Sequence, residues 1–241
     1  QHFGWRMAFA AVAVVGVAAL AILAAFVPRD QGRPDIAPLH QELAVLARGQ
    51  VWLGLGITVF GFAGVFALYT YVEPLLTQVT HLGEGLVALT LLLFGAGLAA
   101  GNLLGGRLAD RGVMRALFLS IGALMVVLAA GRWAFGHAAI AMAYVVVLGT
   151  VAFATVAPMQ MRVLQQAGPE GANLASSLNI AAFNLGNALG AWVGGLVLTQ
   201  GLGLLSLGWA AAGLTALGLV LVGWSARLPA AQPALRELSC A

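Results

Sequence analysis

The residues best suited to chemistry sit inside one long apolar run, where Asn173, Ser176, Ser177, Asn179, Asn184 and Asn187 interrupt a background of Ala, Leu and Gly. At 100° per residue on a helix, Asn173, Ser177, Ile180, Asn184, Asn187 and Ala191 fall within one arc of roughly 80°. An amide turned to hydrocarbon would leave donors and acceptors unpaired, at several kcal/mol each. The arc must therefore face other helices or water. In the first case the amides simply hydrogen-bond neighbouring helices, each bond contributing about 0.6 kcal/mol on average. In the second, Asn184 and Asn187, near mid-run, line an aqueous pathway, with Asn179 as a further candidate. Amides at one depth suit an uncharged polar ligand, because each offers donors and an acceptor.

A second set is aromatic. Phe62, Phe66, Tyr69 and Glu73 recur at spacings of four, three and four and share one helical face. Membrane aromatics commonly meet lipid or the interface. A cavity wall is the alternative, and Tyr69 would give it a hydroxyl. Thr150 and Phe153 are cavity candidates on the same logic. Two stripes of small residues, Gly97-Gly101-Gly105 and Gly186-Gly190-Gly194, let helix backbones approach closely. They serve either permanent packing or a seam along which helices slide.

The sharpest local motif is Gly105-Gly106-Arg107-Leu108-Ala109-Asp110-Arg111-Gly112. Its glycines permit close packing and a tight turn, while Asp110 can cap a helix or pair with Arg107 or Arg111. The motif is either a polar turn or a charge latch that breaks and reforms as helices move.

Signals for catalysis are missing from the sequence. His2, His40, His81 and His137 are isolated, and no HExxH, GxSxG, Walker or CxxC pattern occurs. Cys240 is the single cysteine, so no disulfide framework can be read. No enzyme, cofactor or metal is expected.

The elements that must position these residues follow from composition. Of 241 residues, 61% are hydrophobic and 8% charged, with a mean hydropathy of +0.98. Ordinary soluble domains carry roughly 25% charged residues, so the solvent for this surface is lipid. The formal charge of +3 does not indicate nucleic acid, because the basic residues are all arginines dispersed through short connections.

Seven runs reach the roughly 20 apolar residues needed to cross hydrocarbon. They lie near 4–27, 50–72, 85–106, 114–132, 138–162, 174–198 and 202–225. Backbone groups in lipid must be satisfied within each segment, so the expected fold class is an all-α integral membrane protein of seven transmembrane helices. The sequence divides into residues 1–27, a polar connection 28–49, a bundle 50–225 and a tail 226–241. Pro34 and Pro38 favour extended chain, while Leu39 to Ala47 suits a short amphipathic surface helix. The tail after Ser225, with Pro229 and Pro233, is expected to be mobile.

Arginine counts orient the spans. Connections after the first, third and fifth spans, with the tail, carry Arg29, Arg33, Arg48, Arg107, Arg111, Arg115, Arg162, Arg227 and Arg236, whereas the other side carries Arg6 and Arg132. The positive-inside rule then places the first residues outside and the tail in the cytoplasm. An odd count of spans with an external start suggests that a membrane segment precedes Gln1.

Gly106-Arg107-Leu108-Ala109-Asp110-Arg111-Gly112 resembles the loop motif of the major facilitator superfamily at its weaker repeat, between the eighth and ninth helices. Gly4-Trp5-Arg6-Met7-Ala8-Phe9 is similar to the start of that family's sixth helix. Tyr71-Val72-Glu73-Pro74-Leu75-Leu76 and the stretch Leu178-Asn179-Ile180-Ala181-Ala182-Phe183-Asn184-Leu185-Gly186 resemble the seventh and eleventh helices of bacterial drug:proton antiporters. The similar branch contains arabinose-type, purine-ribonucleoside and chloramphenicol efflux permeases.

The resemblance covers essentially the whole chain as helices six to twelve. It implies a six-helix C-terminal bundle preceded by the last helix of the N-terminal bundle and a cytoplasmic central loop. It further implies alternating access in a bacterial inner membrane, with a small-molecule substrate, protons as coupling ion, and the N-terminal half of the same transporter as partner. Asp110 and Arg111 match latch positions, and Gly106 and Arg107 beside them are carried as latch candidates. The chain departs from the family pattern in having Arg at 107 and no basic pair after Gly112. It also carries no carboxylate mid-membrane. A non-transporting fragment and a seven-helix receptor are the rival readings, the absence of Lys excluding a retinal Schiff base.

Overall fold

A computed structural model describes residues 4–26 and 39–228. The expectations for the remainder of the 28–49 connection and for the tail lie outside the described residues. The described residues are helical with short turns and contain no strand. Seven helices or helix pairs are long and apolar enough to cross a membrane, in agreement with the seven runs read from the sequence.

Helix α1 (Gly4–Phe26) forms a unit by itself. Its described side chains are all exposed, including Phe9, Val14, Leu20 and Phe26. An apolar helix with no buried face requires lipid or protein around it.

The second unit begins with the short helix α2 (Leu39–Ala44), which a 3₁₀ turn continues through Ala47. Helix α3 (Gly49–Tyr69) is the most buried span and packs against the last two spans. After a single turn α4 (Val72–Pro74) and a π turn to Val79, α5 (Glu84–Asp110) and α6 (Val113–Ala134) follow, joined through Gly112. Gly112 has φ 143°, a conformation that disfavours a side chain.

The fifth span is broken. It comprises α7 (Ala138–Ala154) and α8 (Val156–Ala167), separated at Thr155. Thr155 Oγ1 donates to the Ala152 carbonyl at 2.6 Å. Pro158, which has no N–H to donate to the Ala154 carbonyl, explains why the ladder fails there. Helices α9 (Ala172–Thr199) and α10 (Leu207–Arg227) complete the bundle.

Two glycine seams set the closest approaches. A methyl at Gly97 would stand 2.6 Å from the Val146 carbonyl oxygen of α7, and one at Gly186 would stand 2.8 Å from that of Val59 on α3. Both stripes expected from the sequence are therefore close-packed backbone contacts. The outward surface is apolar, with Leu92, Val126, Trp192 and Val220 exposed. At the end of α6 and the start of α10, Trp133 and Trp209 meet edge to face at 5.7 Å. Arg48, Arg107, Arg111, Arg115, Arg162 and Arg227 gather at the opposite end of the bundle.

Candidate functional site

Helix α9 presents three longitudinal strips. The first, Ala175, Asn179, Ala182, Gly186, Gly190 and Gly194, is buried, and its glycines lie against α3. The second is exposed and apolar: Ala181, Leu185, Ala188, Trp192 and Leu196. The third contains the exposed Asn173, Ser177 and Asn184, with Ile180 among them. The polar arc thus runs between the packed face and the apolar face as a separate surface.

Along that strip Ser177 Oγ donates to the Asn173 carbonyl at 3.0 Å, and Asn184 Nδ2 donates to the Ile180 carbonyl at 3.0 Å. These local bonds satisfy one donor each while leaving the residues exposed. Asn187 lies at the border of the packed face and is half-buried. Its side-chain oxygen is buried without a hydrogen-bond partner. An unpaired buried acceptor of this kind carries a desolvation cost of about 1–3 kcal/mol that a donor would relieve.

Asn179, expected at the cavity, is fully buried. Its Oδ1 accepts from Thr58 Oγ1 at 2.7 Å, and its Nδ2 donates to Gln160 Oε1 at 2.6 Å. Gln160 Nε2 in turn donates to Ser176 Oγ at 2.9 Å. The amide thereby fastens α3, α8 and α9 together. A second knot joins α8 to α10, where Arg162 Nη2 donates to Ser225 Oγ at 2.6 Å. Arg48 closes the same end by donating to the Ala167 carbonyl at 2.7 Å.

The aromatic candidates form one continuous row. Phe62 is buried and lies 5.9 Å from Phe66, which lies 5.9 Å from Tyr69. Phe62 also meets Phe153 at 6.3 Å and Phe183 at 4.9 Å, both edge to face. Tyr69 stacks on Phe94 at 4.6 Å. The row joins α3, α5, α7 and α9, and the α9 ring, Phe183, stands one helical turn from Asn187. Thr150 is placed differently. Its hydroxyl donates to the Val146 carbonyl at 3.0 Å and lies against the Gly97 seam. Glu73, at the end of the aromatic face, is exposed.

Sequence reasoning missed Thr58, Gln160, Phe94 and Phe183 as members of these groups. Gln160 was detectable, since α8 gathers Gln160, Arg162, Gln165 and Gln166 into a polar half-span. Thr58 and Phe94 carry no local signal, because their partners are distant in sequence.

At the loop motif, Gly105 packs against Ala154 of α7, and Gly106 is half-buried. Arg107, Asp110 and Arg111 are exposed. Among the described residues no ion pair joins Asp110 to either arginine. The capping role open to Asp110 is not taken, because Gly112 is the N-cap of α6 and no side chain caps it. The described acids Glu42, Glu73, Glu84, Asp110 and Glu170 all lie at helix ends or in connections, and no group of acids, His or Cys among the described residues could hold a metal ion.

An uncharged polar strip and an aromatic row thus lie within a set of helices long and apolar enough to cross a membrane. The Major Facilitator Superfamily profile matches residues 1–180. The chain belongs to that superfamily, whose members are transporters. It is 45% identical over 233 residues to the inner membrane transport protein YdhP of Escherichia coli K12, covering 94% of this chain and 58% of that protein. It is 32% identical to the putative transporter AraJ of Escherichia coli K12, over 84% of this chain and 51% of that protein. A chloramphenicol resistance protein of Streptomyces lividans is 34% identical, over 90% of this chain and 56% of that protein. The chain therefore spans somewhat more than half the length of these curated relatives.

Proposed function

We propose that this chain forms the C-terminal portion of a secondary transporter that exports small polar or amphipathic molecules, such as drugs, sugars or nucleosides, by alternating access. The observation that carries this reading is the exposed polar strip of α9, running beside an apolar strip on the same helix. Lipid accommodates the apolar strip but not the amides. A water-filled pathway between two bundles accommodates them, with the exposed Asn184 facing it and the half-buried Asn187 at its edge.

In this reading residues 50–225 form the C-terminal bundle, and residues 1–27 are the last helix of the N-terminal one. Phe62, Phe66, Tyr69 and Phe153 form one wall, and Asn184 and Asn187 contact substrate. Asn179 and Thr150 hold that wall in place. Gly106, Arg107, Asp110 and Arg111 form the latch, and the arginine-rich end faces the cytoplasm of a bacterial inner membrane. The resemblance to drug:proton antiporters supports protons as the coupling ion in this reading. Export is supported by the relative named for chloramphenicol resistance.

The test is a resistance and uptake screen on cells expressing the full-length protein, repeated with a proton uncoupler. The expected result is reduced accumulation of at least one neutral compound, restored by the uncoupler. Unchanged accumulation across neutral drugs, sugars and nucleosides would reject export, and efflux that survives the uncoupler would reject proton coupling.

A further inference from the structure

A separate cavity of about 230 Å³ opens where α5 turns into α6, lined by Leu108, Arg111, Gly112, Arg115, Ala116 and Leu119. Its lining divides into a basic and an apolar part. Arg111 and Arg115, four residues apart, stand at the mouth of α6, and both are exposed. Both guanidinium-bearing residues line the cavity, and no acidic residue does. One turn further along α6, Leu119 is half exposed, with Phe118 exposed beside it. These two belong to the apolar outer surface. The cavity thus joins a pair of guanidinium groups to a hydrocarbon-facing wall.

We propose that this cavity binds an anionic phospholipid headgroup. The phosphate bridges Arg111 and Arg115 through charge-assisted hydrogen bonds, the strongest anion contacts a protein surface offers, and an acyl chain descends along Leu119 and Phe118. A free phosphate satisfies only the upper half of this arrangement, whereas a phospholipid satisfies both. The site lies at the arginine-rich end of the bundle, away from the Asn187 and Phe62 region; it shares Arg111 with the proposed latch, but lipid retention does not require transport.

The test uses the full-length protein in mild detergent, with lipid retention read by native mass spectrometry. Dioleoyl phosphatidylglycerol is compared with dioleoyl phosphatidylcholine. Phosphatidylglycerol should be retained preferentially, and Arg111→Gln and Arg115→Gln should each weaken its binding about tenfold. Arg115→Lys should retain most of the binding. Arg227→Gln, which removes one charge from the same rim outside the cavity, should leave it unchanged. Equal retention of the two lipids would overturn the proposal, as would an equal loss in Arg227→Gln. Complete displacement of phosphatidylglycerol by millimolar inorganic phosphate would make a free anion the occupant and likewise overturn it. Should Arg115→Gln not fold, the comparison of lipids on the parent protein and on Arg111→Gln decides the matter alone.

Discussion

Replacing Asn179 by Ala separates a fastening role from a substrate contact. The side chain is 0% exposed, and both ends of its amide are engaged, by Thr58 at 2.7 Å and by Gln160 at 2.6 Å. Truncation removes two interhelical bonds at about 0.6 kcal/mol each and leaves a small cavity, for a total near 2 kcal/mol. The partners limit the damage. Thr58 Oγ1 retains the Gly54 carbonyl at 3.3 Å, and Gln160 Nε2 retains Ser176. For a bundle of this size, 2 kcal/mol lowers the melting temperature by about 4–8 °C. The assay is thermal unfolding of the full-length protein in detergent, with substrate affinity measured on the surviving fraction. Asn179→Ala should melt earlier and bind substrate normally. An unchanged melting temperature together with weakened affinity would refute the reasoning and return Asn179 to the pathway.

Asn187→Ala should do the opposite, raising KM about three- to tenfold with no loss of thermal stability, since it removes a buried oxygen that has no partner. Unaltered affinity in a binding titration would remove Asn187 from the site. Gly101→Ala should destabilise by about 1–3 kcal/mol, because the added methyl meets the Thr150 carbonyl, whereas Gly95→Ala, with open space around it, should be silent in the same melting assay. Asp110→Asn should slow turnover several-fold in proteoliposomes while leaving substrate binding intact. Unchanged turnover would reject the latch.

The spans were legible because hydrocarbon imposes a length and a polarity that leave few alternatives. The expected run 174–198 corresponds to Ala172–Thr199, and 114–132 to Val113–Ala134. The break at Thr155 was not read, because a hydropathy window averages over it. Pro158 and the glutamines beyond it were the available signal. Asn179 shows a different limit. Its helix position separated it from Asn184, but only the distant Thr58 and Gln160 determine that its amide is occupied. The arc containing Asn184 was legible because lipid makes unpaired amides costly wherever they occur. Which amides find partners within the bundle depends on contacts between spans, and a single sequence does not encode these in any local pattern.

The two ends of α6 also act as a ruler. Arg115 and Trp133 stand about 27 Å apart along the axis at 1.5 Å per residue. A basic group and an indole each hold a fixed level against headgroups, so their separation sets the hydrocarbon thickness that the bundle fits without tilting. A thicker bilayer would have to compress or leave lipid tails facing Arg115, and a thinner one would expose the ring of Trp133 to water. Mismatch costs fractions of a kcal/mol per Å. A protein whose cycle moves bundles past one another would therefore have its conformational balance set partly by the length of the acyl chains around it.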